Sequence, residues 1–204
     1  MTPGRTWWGK TWLRALEQLG LRYPDSRLAT ARTLARNGEV DLVHTDPGEI
    51  SGWVDAPGKS FGVSIRLPVY RVAHWQRFDT VVAARLGNLA ELRDDRLPTG
   101  IDRQLAPHDL TLFPAEGELT TDCPCPHPGP LCVHVMAVHH AWAGLFDDDP
   151  FLLTLLRGRD RDAVLAGLRE ARPVRRAGGP AALEPVPLAR FSAADFFTAR
   201  GELT

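Results

Sequence analysis

Residues 123–134 read CPCPHPGPLCVH. All three cysteines of the 204-residue chain lie inside this stretch, together with two of its seven histidines. Prolines at 124, 126, 128 and 130 hold the approach extended, because proline fixes φ and has no amide hydrogen to continue a helix. A segment this rich in proline builds no regular structure of its own, so its sulfur needs another explanation. Cys123-x-Cys125, a six-residue spacer and Cys132-x-His134 offer three thiolates and one imidazole, a complete tetrahedral set for zinc. Four protein ligands leave no position for a substrate water, so the pattern reads as a structural metal. Binding it would supply folding energy to a segment that cannot fold by itself.

Helix geometry places the ligands. Two residues apart on an ideal helix is ~200° of rotation, so Cys132 and His134 cannot share a metal from mid-helix. Cys132 is expected at a helix mouth, with His134 in the first turn. His127, between the cysteine pairs, is the alternative fourth ligand. At ~1.5 Å per residue, His139 lies ~10 Å from Cys132 along the axis, too far for one site. His139 and His140 are therefore expected to be a helix-flank contact and a solvent-facing residue. The competing readings of the cluster are a redox pair and three buried cysteines. Cys123 and Cys125 are too close in sequence for an easy disulfide, and an odd cysteine count leaves one thiol over. In a reducing compartment the metal reading is preferred.

Outward from the cluster, Leu131, Val135, Val138, Trp142 and Leu145 step by four and three, which predicts a helix over 131–146. Asp149-Pro150 reads as a cap and first helical position, followed by short helices near 150–157 and 160–171. Upstream, Trp8, Trp12, Ala15, Leu16 and Leu19 predict an amphipathic helix over 6–19, with Thr6 as N-cap and Gly20 as stop. A second helix is predicted over 26–36, closed by Asn37-Gly38. Three strand candidates follow, around 39–45, 50–54 and 61–67, separated by Asp46-Pro47-Gly48 and Ala56-Pro57-Gly58. Phe61, Val63, Ile65 and Leu67 alternate strictly. Helical spacing returns over 73–87, with shorter pieces near 88–94 and 99–106. Leu110–Phe113 and Glu118–Asp122 read as short strands leading to the cysteines. The fold class is α+β: a small antiparallel sheet with packed helices and an embedded zinc site. Residues 1–122 form the N-terminal region, and 123–172 hold the finger and the helices after it, in the same globular unit. The Pro-, Ala- and Gly-rich stretch 173–190 reads as a flexible linker, and 191–204 as a tail with Phe191, Phe196 and Phe197.

Composition narrows the partners. The chain is 44% hydrophobic, enough for a substantial core, and its formal net charge is −1. That balance conceals local bias. Residues 1–38 carry seven basic against two acidic side chains, 39–60 carry one against five, and 158–176 carry six arginines against three acids. Solvated helix faces explain such runs most simply. No apolar run is long enough to span a membrane, and MTPGRTWWGKTW has no signal-like stretch, so the chain is expected in the cytoplasm.

Cys-x-Cys, a short spacer and Cys-x-His entering an apolar helix resemble the signature of the SWIM zinc finger. TWWGKTWLRALEQLG, TDCPCP and CVHVMAVHHAWAGLFDDDPFLLTLLRGRDRDAVLAGL resemble a group of bacterial SWIM zinc finger proteins, many from actinobacteria, across most of residues 4–171. The resemblance implies zinc ligands at Cys123, Cys125, Cys132 and His134. It also implies a module that binds DNA or protein, often encoded beside helicase-like ATPases of the Swi/Snf type, with no enzymatic activity to carry over. Two departures bear on function: Pro126-His127-Pro128-Gly129 stands where the family has Asp and an aromatic, and Val133 where it often has Lys. Losing that lysine favours protein contact over phosphate contact.

The leading expectation is thus a zinc-stabilised adaptor for a protein partner, with a helicase-like ATPase as the candidate. The alternative is direct DNA binding through Lys10, Arg14, Arg32, Arg36, Arg159 and Arg161, which requires those cations to gather on one face. An enzyme is not expected: Asp147-Asp148-Asp149 reads as a helix start, where negative charge is favoured. Trp7 is the tryptophan of its helix expected to remain available for an exposed contact.

Overall fold

The structure of the protein, a computed structural model, describes residues 3–172, which belong to one compact unit. The linker and tail expected at 173–190 and 191–204 lie outside the described residues. The architecture is α+β. Helices α1 (Trp7–Arg14) and α2 (Ser26–Asn37) precede strands β1 (Val40–Asp46), β2 (Glu49–Ala56) and β3 (Lys59–Arg66). Helices α3 (Val72–Ala83), α4 (Leu86–Arg93) and α5 (Ile101–Leu105) follow. A short strand β4 (Thr120–Asp122) then leads into α6 (Val133–Asp148), α7 (Phe151–Leu156) and α8 (Arg161–Ala171).

Local chemistry sets the element ends. Thr6 caps α1 by accepting from the Gly9 amide, Asp25 caps α2 through the Arg27 amide, and Asp160 caps α8 through the Ala163 amide. The first helix is shorter than its apolar spacing predicts. It tightens to a 3-10 turn over Ala15–Glu17, which carries Ala15 and Leu16 into the core before Gly20.

The sheet is an antiparallel meander in the order β1-β2-β3-β4. Ile50 opposes Ile65 and Val54 opposes Phe61, so the alternating apolar residues line one face. Helix α6 lies against that face and is buried on nearly every side, with α1 and α2 also packed on it. Gly52 makes this approach possible: a Cβ there would stand 3.3 Å from both Val138 methyls and 3.4 Å from a Val43 methyl. The register of β1 shifts between Asp41 and His44, so two residues oppose Gly52, as in a β-bulge.

The core is aromatic at its centre. The Trp12 and His139 rings stack at 4.5 Å, and Trp142 lies 4.3 Å from Trp12 and 4.8 Å from Phe146. Trp142 donates to the Thr45 hydroxyl at 2.8 Å and Trp8 to the Phe146 carbonyl at 2.8 Å, tying α6 to β1 and α1.

Leu110–Phe113 is not a strand. The carbonyls of Thr111, Leu112 and Phe113 converge, each at 3.0 Å, on the guanidinium of Arg157, a fully buried side chain that also pairs with Glu118 at 2.8 Å. Three successive carbonyls turned onto one cation do not alternate in direction as a ladder requires. The strand expected over 118–122 forms only at Thr120–Asp122, where Thr120, Thr121 and Asp122 oppose Arg66, Ile65 and Ser64. Among the described residues no helix is long and apolar enough to cross a membrane.

Candidate metal centre

The last residue of β4 is Asp122, and Cys123 follows it directly off the sheet. Across a proline-rich loop, Cys132 stands at the mouth of α6 in extended conformation, and its sulfur accepts from the Val135 amide at 3.4 Å. His134 occupies the first turn of α6. Pairing of β4 with β3 and packing of α6 on the same sheet thus aim two distant chain segments at one point. The ligand atoms of Cys123, Cys125, Cys132 and His134 all lie within 4.8 Å of one another. His134 Nδ1 is 3.7 Å from the Cys123 sulfur and 4.0 Å from the Cys132 sulfur. This group could hold a metal ion.

The surroundings suit that role. The His134 ring stacks on Phe61 of β3, with centroids 4.3 Å apart and planes at 21°, which fixes the direction in which Nδ1 points. Lys59 covers the Phe61 ring at 4.9 Å. Burial holds His134 below the ordinary imidazole range, so the ring is neutral near pH 7 and presents a lone pair. Burial pushes the Cys123 thiol up to about 12 and raises Cys132 as well, although the Val135 amide favours its thiolate. At Cys125 burial also acts upward, but the His127 amide and neighbouring donors bring the net shift down. Sulfurs this close repel one another as thiolates; a cation among them reverses that balance.

His127, the alternative ligand, is engaged elsewhere. Its Nε2 lies 2.9 Å from Arg27 Nη1, which also donates to the Leu131 carbonyl at 2.8 Å. Arg27 is anchored in turn by Asp25 at 2.6 Å. The start of α2 therefore clamps the cysteine loop, and Thr121 bonds the Pro130 carbonyl from the other side. Arg27 is a supporting residue that no motif marks; its position in the first turn of a capped helix carried no sign of a contact 100 residues away.

His139 and His140 are both buried; His140, expected to face solvent, is 3% exposed because α2 and α6 pack closely over it. His139 bonds the Trp12 carbonyl at 3.0 Å. Trp7 is not an exposed contact: its indole donates to the Leu97 carbonyl at 3.3 Å and its ring packs on Trp8 and Phe113. Asp149 receives the Phe151 amide at 2.8 Å, the expected helix start. Asp147 instead receives the Arg5 and Thr6 amides at 2.8 and 2.9 Å, anchoring the residue that caps α1, while Asp148 pairs with Arg5.

The six basic candidates divide. Lys10 and Arg14 on α1 and Arg32 and Arg36 on α2 are exposed and make no ion pair among the described residues. Arg159 is committed to Asp79 at 2.8 Å and lies over the Trp75 ring, and Arg161 pairs with Asp95 at 2.6 Å. The structure therefore does not leave all six free for a common partner.

Comparison with curated proteins finds similarity to "Uncharacterized protein Rv2102" of Mycobacterium tuberculosis (strain ATCC 25618 / H37Rv), 32% identical over 170 residues. The match takes in 82% of this chain and 60% of the relative, so the chain spans less than two thirds of that protein's length. No family model matches the chain, and no solved structure matches it.

Proposed function

We propose that the chain is a zinc-binding adaptor of the SWIM type that docks a protein partner, with a helicase-like ATPase of the Swi/Snf type as the candidate. The observation that carries this reading is the convergence of three sulfurs and one imidazole nitrogen within 4.8 Å. Zinc with Zn–S near ~2.3 Å and Zn–N near ~2.0 Å needs S···N edges of about 3.5 Å and S···S edges of about 3.8 Å. The separations of 3.7 and 4.0 Å at His134 Nδ1 are close to that. A full set of four protein ligands suits a structural ion, and a structural ion suits a module that presents a surface. The ion would join the end of β4 to the start of α6 and so hold the loop 123–132 in one shape.

Cys125→Ser tests the centre. The expected outcome is loss of most bound zinc by elemental analysis, with weakened protection of the 121–136 amides in hydrogen exchange. Full metal content in that variant would count against the site. For the partner, affinity capture from the native host with the zinc-loaded chain should retain a helicase-like ATPase that the Cys125→Ser chain does not. Equal capture by both would remove the link between metal and docking.

Direct nucleic-acid binding is the second reading, supported by the four exposed cations on α1 and α2. It requires an affinity for DNA that falls steeply with salt. A flat salt dependence would leave the protein partner alone.

A further inference from the structure

Between α1 and α2 runs a groove of about 570 Å³ whose lining includes Leu13, Ala29, Arg32, Arg36 and His140. The metal reading makes no use of it. His140 is 3% exposed, and its two ring nitrogens have neither exposed surface nor a hydrogen-bond partner among the described residues, so a ligand reaches them only where the lining side chains give way. Leaving such a group buried and unpaired is unfavourable unless something else satisfies it. Arg32 and Arg36 lie four residues apart on α2, so they share a helix face. Arg32 makes no ion pair among the described residues, and Arg36 leans along its own helix, with Nε 3.3 Å from the Arg32 carbonyl. No residue lining the groove is acidic.

Two guanidinium groups beside a buried, unpartnered neutral imidazole, with no carboxylate in the lining, make a receptor for an oxyanion. Burial, with the Arg32 charge added, holds His140 down to about 4, so the ring is an uncharged donor at neutral pH. The depth of His140 selects the kind of anion. A phosphodiester carries a substituent on each side and cannot bring an oxygen to a ring this buried; a terminal group can. A phosphate monoester presents three terminal oxygens and close to two charges, matching two guanidinium groups and one N–H. A carboxylate offers one charge and two oxygens. The volume is in the range of small-ligand pockets, roughly 300–1,000 Å³.

We propose that this groove binds a terminal phosphoryl group, gripped by Arg32 and Arg36 and met at the floor by a ring N–H of His140. The proposal goes beyond the adaptor reading and does not depend on the metal centre, whose last candidate ligand, His134, precedes His140 by six residues on α6.

The test uses the zinc-loaded full chain, with nitrogen-resolved NMR of the histidine rings and arginine Nε groups. The probes are inorganic phosphate, phosphoserine, and a DNA duplex without terminal phosphates, each against sodium chloride at matched ionic strength. Phosphate and phosphoserine should give saturable shifts at His140 and Arg32, while the duplex and chloride give none. Saturation by inorganic phosphate as tight as by phosphoserine identifies a small phosphorylated molecule as the ligand source; a tighter fit for phosphoserine identifies a phosphorylated side chain. Arg32→Gln should weaken binding by about tenfold or more with unchanged zinc content and melting temperature, because Arg32 is exposed. His140→Phe should abolish the floor contact, and if that variant fails to fold, Arg32→Gln decides the matter alone. Absence of saturable shifts with both phosphate probes, unaltered affinity in Arg32→Gln, or equal shifts with the duplex would each overturn the proposal.

Discussion

Arg157 shows how much one side chain can organise. Its guanidinium donates to the carbonyls of Pro68, Thr111, Leu112 and Phe113 and to Glu118, and it lies 5.0 Å from the Tyr70 ring centroid. The stretch LLRGRD gives no hint of this, since an arginine between a leucine pair and a glycine reads as the exposed end of a helix. Removing it leaves four carbonyls and a carboxylate with no shared donor. Arg157→Ala is expected to lose about 3–5 kcal/mol in denaturant unfolding. Arg157→Lys should recover little, because an ammonium cannot fork to five acceptors. Full stability in the lysine variant would show that charge alone matters there. The cysteine–histidine cluster behaves differently: all four of its residues were legible, because Cys-x-Cys and Cys-x-His at a helix mouth serve one chemistry well and others poorly.

At the scale of elements, the three-strand meander and α2, α3, α6, α7 and α8 lie within a few residues of where the periodicity puts them. Apolar spacing reports which face an element buries, and these elements each bury one face or, for α6, nearly all. What spacing cannot report is the distance between elements. Gly52 reads as a weak point in a strand. In the fold it is the place where Val138 reaches the sheet. Gly52→Ala is expected to cost about 1–3 kcal/mol by pushing α6 off the strand. Combining it with Val138→Ala should recover part of that loss, since the new methyl then meets only the Val43 methyl, at 3.4 Å. Additive losses in a double-mutant cycle would place the strain elsewhere. The Leu110–Phe113 segment failed as a strand for the same kind of reason: its partner is a side chain from α7's end, invisible to a local pattern.

At the scale of the whole molecule, α6 acts as the axis on which both halves of the sequence meet, and its two buried histidines make stability depend on pH. Burial is the largest cause of lowering at both, taking His139 to about 3 and His140 to about 4, against an unfolded value near ~6.5. Between those values the unfolded chain binds more protons than the folded one, so stability is full above pH ~6.5 and falls on acidification. Each histidine contributes a slope of up to about 1.4 kcal/mol per pH unit in that window. His140→Phe is expected to flatten the wild-type slope between pH ~6.5 and about 4 by one such increment, read from urea midpoints at constant zinc. An unchanged slope would mean that His140 is protonated inside the fold.

The chain alone determined that three sulfurs and an imidazole would form one cluster fit for a metal, that a helix would begin at Cys132, and that a small antiparallel sheet would precede it. Ligand type, proline and apolar period are local properties, and local properties are written in order along a sequence. Only the tertiary structure decided that Arg27 would brace the cysteine loop, that Asp147 would hold Thr6, the cap of α1, 141 residues upstream, and that His140 would be buried where α2 packs on α6. Those outcomes depend on which faces meet when the elements pack, and a burial or a hydrogen bond between distant residues has no period to announce it.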